Sequence, residues 1–154
     1  MKLEGNFVVH AARGVVWDKI RNPALMGGCI PGCEAIEQID AMSYRAIVGV
    51  KVGPIKARFN LVVEVTQEDP PSVVRSRTRG EEGTRASVVS SENLLVLSET
   101  GPSQTRVDYS AEVSMTGRLG KYGLGIMQKK AEALSLVFAE NFRPKVEQAP
   151  AVTP

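Results

Sequence analysis

The sequence contains few aromatic residues and little net charge, and these two shortages exclude one large class of function. Aromatic residues account for 5% of the 154 residues, and the formal net charge is +2 at pH 7. Surfaces that bind nucleic acids usually combine clustered Lys and Arg with aromatic side chains that stack on bases. We therefore expect no nucleic-acid partner.

Residues that bind metal ions are equally scarce. Cys29 and Cys33 are the only cysteines and His10 is the only histidine, so a tetrahedral zinc site built from Cys and His cannot be completed. The sequence predicts free thiols, no metal site and no tightly bound cofactor. His10 has no nucleophile paired with it in the sequence, which predicts a surface position and a chain without catalytic residues.

Long apolar runs are also missing. The longest strongly apolar stretch, Leu94 to Leu97, is far shorter than the ~20 residues of a membrane-spanning helix. The N-terminus carries Glu4 and lacks the apolar core of a signal peptide. We expect a cytoplasmic protein.

Turn residues recur at hairpin spacing along most of the chain, which predicts an antiparallel meander. The expected turns contain Asp40-Ala41, Gly53-Pro54, Asp69-Pro70-Pro71, Glu81-Glu82-Gly83 and Gly101-Pro102. They separate predicted strands over residues 34–40, 43–52, 55–68, 72–80, 84–98 and 104–116, and a further strand covers residues 2–9.

Two short helices are predicted after the first strand. The first covers residues 11–20, and the second starts at Asn22-Pro23, where Asn22 is a suitable N-cap and Pro23 suits the first helical position. Gly27-Gly28 is expected to end the second helix after about a turn and a half.

One face of the predicted sheet is apolar and needs a cover. In two strands the apolar residues alternate with polar ones: Ala57, Phe59, Leu61, Val63 and Val65 in the first, and Val107, Tyr109, Ala111, Val113 and Met115 in the second. A helix over residues 122–143 supplies the cover through the stripe Met127, Ala131, Leu134, Phe138 and Phe142.

The predicted fold is therefore α+β, with a curved antiparallel sheet of about seven strands wrapped around a long C-terminal helix. Pro144 is expected to end that helix. We expect one domain over residues 1–146 and a Pro-rich tail over residues 147–154.

Two further patterns have ordinary explanations beside functional ones. Gly117, Gly120, Gly123 and Gly125 precede the long helix, but their spacing does not match a dinucleotide-binding turn, so we expect a flexible joint. Basic residues alternate along one strand, where they form either a patch for phosphates or an acidic partner, or a solvated face balanced by nearby Glu residues. That set is Arg75, Arg77 and Arg79.

The motifs Cys29-Ile30-Pro31-Gly32 and Val52-Gly53-Pro54-Ile55 closely resemble the CoxG-like family, which is named for the G subunit of carbon monoxide dehydrogenase. The resemblance covers about residues 1–146. It also includes Leu3-x-Gly5-x-Phe7, Val16-Trp17 and Gly117-x-x-Gly120-x-x-Gly123.

This resemblance implies both a fold and a function. The family is similar to the START-like (SRPBCC) helix-grip group, whose sheet grips a C-terminal helix over a deep hydrophobic cavity. Family resemblance implies a non-enzymatic accessory protein of a molybdenum hydroxylase, with peripheral contact at the inner face of the membrane and a quinone as the lipophilic ligand. An adaptor without a ligand and a START-like enzyme such as a cyclase stay open as alternatives.

Strand parity and helix spacing then select candidate ligand-binding residues. Each can also be ordinary core, and Tyr109 and Tyr122 are the two candidates for a hydrogen bond to a quinone carbonyl. The full set is Ile30, Pro31, Phe59, Leu61, Tyr109, Met115, Tyr122, Met127, Leu134 and Phe138.

Overall fold

The seven strands of the computed structural model form one antiparallel sheet. The structure describes residues 1–83, 86–122 and 124–147, with only the backbone at Tyr122 and Leu124. In chain order the elements are β1 (Lys2–Val9), α1 (Arg13–Ile20), α2 (Pro23–Cys29), β2 (Cys33–Asp40), β3 (Ser43–Val52), β4 (Ile55–Asp69), β5 (Val73–Glu82), β6 (Ser87–Gly101), β7 (Gln104–Gly117), a 3₁₀ turn (Gly120–Tyr122) and α3 (Leu124–Glu147).

The strand order β1-β7-β6-β5-β4-β3-β2 confirms the predicted meander over β2 to β7, and β1 joins the sheet at the edge beside β7. Register shifts in β2, β4 and β6 mark bulges, which bend a sheet. The α+β helix-grip class is thus confirmed. Residues 84 and 85, which were assigned to the sixth strand, lie outside the described residues.

Helix α2 begins as predicted and ends later. The Asn22 side chain accepts a hydrogen bond from the backbone N–H of Leu25 at 3.2 Å, and Pro23 occupies the first turn. The prediction that Gly27-Gly28 ends the helix is wrong, because α2 continues to Cys29. A Cβ on Gly27 would collide with the Ile36 side chain on β2, so this glycine allows helix and strand to approach closely.

Helix α3 also continues past its predicted end. Pro144 lacks a backbone N–H and weakens the local helix, yet α3 extends to Glu147. Packing holds this last turn in place, since Phe142 and Val146 are buried and the Glu147 carboxylate accepts the backbone N–H of His10 at 2.7 Å. Residues 148–154, the rest of the predicted tail, lie outside the described part of the chain.

The predicted inner face is confirmed, but its core is divided into two separate clusters. A larger cluster lies at the α1–α2 end of the sheet and includes Phe7, Trp17, Leu97 and Phe142. A smaller one lies at the opposite end. It contains Val52, Ala57, Phe59, Leu119 and Met127. The centre of the concave face belongs to neither cluster.

In each of the two motifs that resemble the CoxG-like family, the backbone conformation explains why a glycine is needed. Gly32 has a φ of 80°, its carbonyl accepts the Gly49 N–H at 2.8 Å, and a Cβ there would collide with the Gly49 carbonyl oxygen. Gly53 has a φ of 57° in the two-residue β3–β4 turn. Pro54 cannot adopt a positive φ, so the turn is of type II′, which requires Gly at its first central position.

We predict that Gly32→Ala destabilises the protein by at least about 2 kcal/mol, because a left-handed non-glycine residue costs ~1–3 kcal/mol even before the collision with Gly49. Urea unfolding measures the change. Gly14→Ala is the matched control: Gly14 lies in α1 with open space where its Cβ would be, so this variant should keep or raise the stability. Equal stability of the two variants would contradict the explanation.

Candidate functional site, an apolar cavity with a polar centre

An apolar cavity of about 200 Å³ lies between α3 and the sheet at the end of the smaller core cluster. Its walls are almost wholly hydrocarbon, and Lys130 and Thr78 supply the polar groups of its lining residues. Its lining is Met1, Val48, Val50, Phe59, Leu61, Thr78, Val89, Val113, Met115, Leu119, Met127, Lys130, Ala131 and Leu134. We call this the apolar cavity.

A second space, of about 240 Å³, lies on the same concave face toward α1 and α2. It is bordered by apolar side chains of β4 to β7 and by a polar group of residues that includes Arg21, Tyr44, Ser76 and Asn93. We call it the mixed cavity. A smaller space of about 120 Å³ beside Phe138 and Phe142 shares Tyr109 with the mixed cavity.

Four polar side chains lie at the centre of the concave face. The Asn93 amide donates to the Ser76 hydroxyl at 3.2 Å and to the Thr78 hydroxyl at 3.0 Å, while its oxygen accepts the Ser91 hydroxyl at 3.0 Å. Strand pairing places Ser76 opposite Asn93 and Thr78 opposite Ser91. Ser76 and Asn93 border the mixed cavity and Thr78 borders the apolar cavity, so this polar cluster lies at the boundary between them.

Arg21 and Tyr44 also border the mixed cavity. The Arg21 guanidinium pairs with Glu68 at 2.7 Å, and both side chains are about a quarter exposed. Tyr44 lies on β3. Burial raises the pKa of its phenol, which is protonated at neutral pH even at its ordinary value of 10.

Five predicted site residues meet in the apolar cavity: Phe59, Leu61, Met115, Met127 and Leu134. Tyr109 borders both other spaces, and Phe138 borders the smallest. Ile30 and Pro31 lie in the α2–β2 connection and line none of these three cavities. The Tyr122 side chain lies outside the described residues. Ligand contact by each of these residues stays a prediction.

The polar cluster was missed, although the sequence carries a signal for it. Both interpretations of Arg75, Arg77 and Arg79 place these side chains on the outer face, and alternation along the strand then sends Ser76 and Thr78 to the concave face. Their meeting with Asn93 depends on the β5–β6 register, which pairs residues 17 positions apart. Tyr44 was missed for a similar reason, because it had no assigned face.

Glu82 was predicted to lie in a turn, and this prediction is wrong. The residue ends β5 opposite Phe59, and only 4% of its surface is exposed. Arg118, which follows β7, donates a hydrogen bond to its carboxylate. This bond is the main cause that holds the pKa of Glu82 below its ordinary value of 4.5. Glu82 lines none of the three cavities, and its bond with Arg118 ties the segment after β7 to the end of β5.

We predict that Glu82→Gln lowers the unfolding free energy at pH 7 by about 1 kcal/mol, because the ion pair with Arg118 becomes a hydrogen bond from a cation to a neutral amide. A depressed carboxyl pKa stabilises the fold above pH 4.5 and loses that effect as the pH falls through the folded-state pKa. The gap between wild type and variant should therefore close in acid.

Thermal unfolding from pH 7 to pH 3 measures this gap. Glu37→Gln is the control, since Glu37 is 68% exposed beside Arg45 and should give a small difference at every pH. A gap at Glu82 that stays constant down to pH 3 would contradict the assigned role.

The remaining candidates for chemistry lie apart from the cavities. His10 is exposed, as predicted. Cys29 and Cys33 are free thiols, and burial raises the pKa of Cys29. Over residues 1–83, 86–122 and 124–147, no group of three or more His, Cys, Asp or Glu side chains could hold a metal ion.

The arginine stripe on β5 is partly neutralised. Arg77 pairs with Glu92 across the β5–β6 ladder at 2.7 Å, and Arg75 and Arg79 are exposed. This arrangement fits the solvated face more closely than a concentrated phosphate site. Within the described residues, no helix combines the length and apolar character needed to cross a membrane.

Comparison with known proteins places this geometry in a family. The model of the CoxG family, described as the G subunit of carbon monoxide dehydrogenase, matches residues 5–147. No curated protein sequence matches the chain significantly.

Solved structures show the same fold. A conserved protein from Geobacillus kaustophilus superposes with a TM-score of 0.89 at 21% identity, covering 97% of each chain. A START superfamily protein from Mycobacterium smegmatis gives 0.75 at 13% identity, covering 96% of this chain and 97% of its own. An aromatase/cyclase from Streptomyces sp. R1128 gives 0.69 at 14% identity, covering 99% and 96%. The START-like fold is therefore shared, at identities too low to carry over a function.

Proposed function

This chain belongs to the CoxG family, described as the G subunit of carbon monoxide dehydrogenase, and we propose that it is a non-enzymatic accessory protein. It would hold a quinone or a similar lipophilic molecule beneath α3. Its partner would be a molybdenum hydroxylase of the carbon monoxide dehydrogenase type. The work of the accessory protein would be to bind and shield the molecule, with peripheral membrane contact where the molecule is exchanged.

The observation that carries the proposal is the unfilled centre of the concave face. Protein interiors are normally packed as densely as organic crystals, and an unfilled apolar space loses contact energy on every wall. Here two half-open spaces of about 200 and 240 Å³, which share no lining residue, lie on the concave face beside the two core clusters. Each space alone is smaller than a typical pocket for a small organic ligand, about 300–1,000 Å³, but a ligand that occupies both would have room within that range.

The lining favours a molecule with a long apolar part. Each methylene-sized group buried in such a space gains about 0.8 kcal/mol. Met115 and Met127 lie on opposite walls of the apolar cavity, and methionine side chains adapt their shape to irregular ligands. An isoprenoid chain is a flexible apolar group of this kind.

A carrier without catalysis is favoured by the positions of the titratable groups. His10 lies on the surface, and the buried carboxylate of Glu82 lines none of the three cavities and accepts a hydrogen bond from Arg118 through one of its oxygens. General acid–base catalysis requires a group within hydrogen-bond reach of the substrate. The cavities instead offer hydroxyl, amide and phenol groups, the Arg21 guanidinium paired to Glu68 and the Lys130 side chain, but no carboxylate or imidazole among the described lining residues.

The adaptor alternative would place function on the outer face of the sheet. Arg75 and Arg79 are exposed there and could contact an acidic partner. That alternative needs no ligand, so a test of ligand binding separates the two functions.

We predict that Ala131→Phe reduces the affinity for a short-chain menaquinone at least tenfold, because the added ring occupies the apolar cavity that Ala131 lines. Isothermal titration calorimetry in a dilute non-ionic detergent measures the affinity. Ala133→Phe is the matched control, since Ala133 is an exposed residue of the same helix and its variant should bind as the wild type does.

Thermal unfolding of both variants shows whether the fold is retained. Equal binding by folded Ala131→Phe and wild type would place the ligand elsewhere. Binding by none of the three proteins would leave the adaptor as the better function.

A further inference from the structure

We infer that the polar cluster, Ser76, Thr78, Ser91 and Asn93, recognises a ligand whose head group carries hydrogen-bond acceptors such as carbonyl oxygens, with Ser76 and Thr78 as the donors. This inference rests on the proposed carrier function and adds to it the part of the protein that distinguishes one lipophilic molecule from another.

The location of the cluster is the first argument. On β6, Val89 lies with the smaller core cluster and Leu95 with the larger one, and Ser91 and Asn93 stand between them on the same face. On β5, Ser76 and Thr78 occupy the corresponding stretch. The apolar pattern of the concave face is thus interrupted at its centre, next to both cavities.

The direction of the hydrogen bonds is the second argument. Asn93 uses both amide hydrogens on the Ser76 and Thr78 oxygens. Each hydroxyl also has a hydrogen of its own to donate. Among the hydrogen bonds of the described residues, these two hydroxyls serve only as acceptors. Asn93 therefore orients a pair of O–H donors on neighbouring positions of β5.

The energetics of burial explain why an acceptor would be selected. A polar group removed from water without a partner costs on the order of 1–3 kcal/mol. An aliphatic molecule that covers the cluster strips water from both hydroxyls and returns no hydrogen bond. A carbonyl oxygen in the same place restores the bond, so the cluster penalises plain hydrocarbons and accepts a carbonyl-bearing head.

The two cavities fix the orientation of such a ligand. The mixed cavity, which contains Tyr44 and Arg21, is the more polar of the two and would take the head. The apolar cavity begins at Thr78 and continues between Leu61 and Leu134, which suits the tail. An amphipathic molecule then spans the polar cluster with its first acceptor beside Ser76 and Thr78.

A pair of probes that share a tail tests the inference. We expect the wild type to bind decyl-1,4-benzoquinone about tenfold more tightly than decylbenzene, measured by calorimetry. The double variant Ser76→Ala/Thr78→Val removes both hydroxyls with little change in shape. It should lose about fivefold to tenfold in affinity for the quinone and keep or improve its affinity for decylbenzene.

Thr116→Val is the matched control, because Thr116 is an exposed residue of β7 on the outer face. Asn93→Ala gives a second test, since it leaves both hydroxyls but removes the group that orients them. This variant should weaken binding of the quinone and leave binding of decylbenzene unchanged. Thermal unfolding identifies any variant that fails to fold.

The outcomes separate this inference from the function on which it rests. A wild type that binds both probes equally, with a double variant that matches it, would overturn the head-group inference and leave the carrier standing. A wild type that binds neither probe would overturn the carrier proposal and this inference with it. A folded double variant that loses affinity for both probes to the same extent would also overturn the head-group inference.

Discussion

The contact between a long helix and a curved sheet is the constraint from which the rest of the structure follows. Helix α3 has 24 residues and is about 36 Å long. It packs through Phe142 and Val146 at one end and through Met127 at the other. The bulged strands curve between these contacts, so helix and sheet separate in the middle. The divided core and its cavities are the direct result.

This division also explains how the ends of the fold are held. The α1–α2 end depends on aromatic packing, in which Phe7 meets Phe142 edge-on with ring centroids 6.1 Å apart. The opposite end has fewer buried side chains and is reinforced by the Glu82–Arg118 ion pair and by the hydrogen bond from the Leu119 N–H to the Ser87 hydroxyl at 3.1 Å. Each end of the fold is stabilised by its own contacts, and the centre of the concave face is left open to a small molecule.

Much of this architecture could be predicted from the sequence because it depends on local patterns. The bounds of β3, the Asn22 cap and the inner faces of β4 and β7 all follow from turn residues and alternation. The stripe on α3 follows from helical spacing, which is why five predicted site residues meet in one cavity.

What could not be predicted depends on contacts between distant residues. Glu82 resembles a turn residue until its partner Arg118, 36 positions along the chain, is known. Pro144 is a helix breaker in isolation, and only the burial of Phe142 and Val146 explains why α3 continues through it. The polar cluster requires the β5–β6 register. Local patterns thus identified the walls of the site, whereas its polar centre needed the assembled sheet.

The central claim, that the space beneath α3 holds a lipophilic molecule, is tested most directly by native mass spectrometry of the purified protein. The protein would be measured as isolated, with lipid extraction of the same sample, and again after incubation with menaquinone and ubiquinone analogues. We predict a saturable adduct of one molecule per chain. Folded protein that forms no adduct with either quinone and yields no lipophilic molecule on extraction would contradict it.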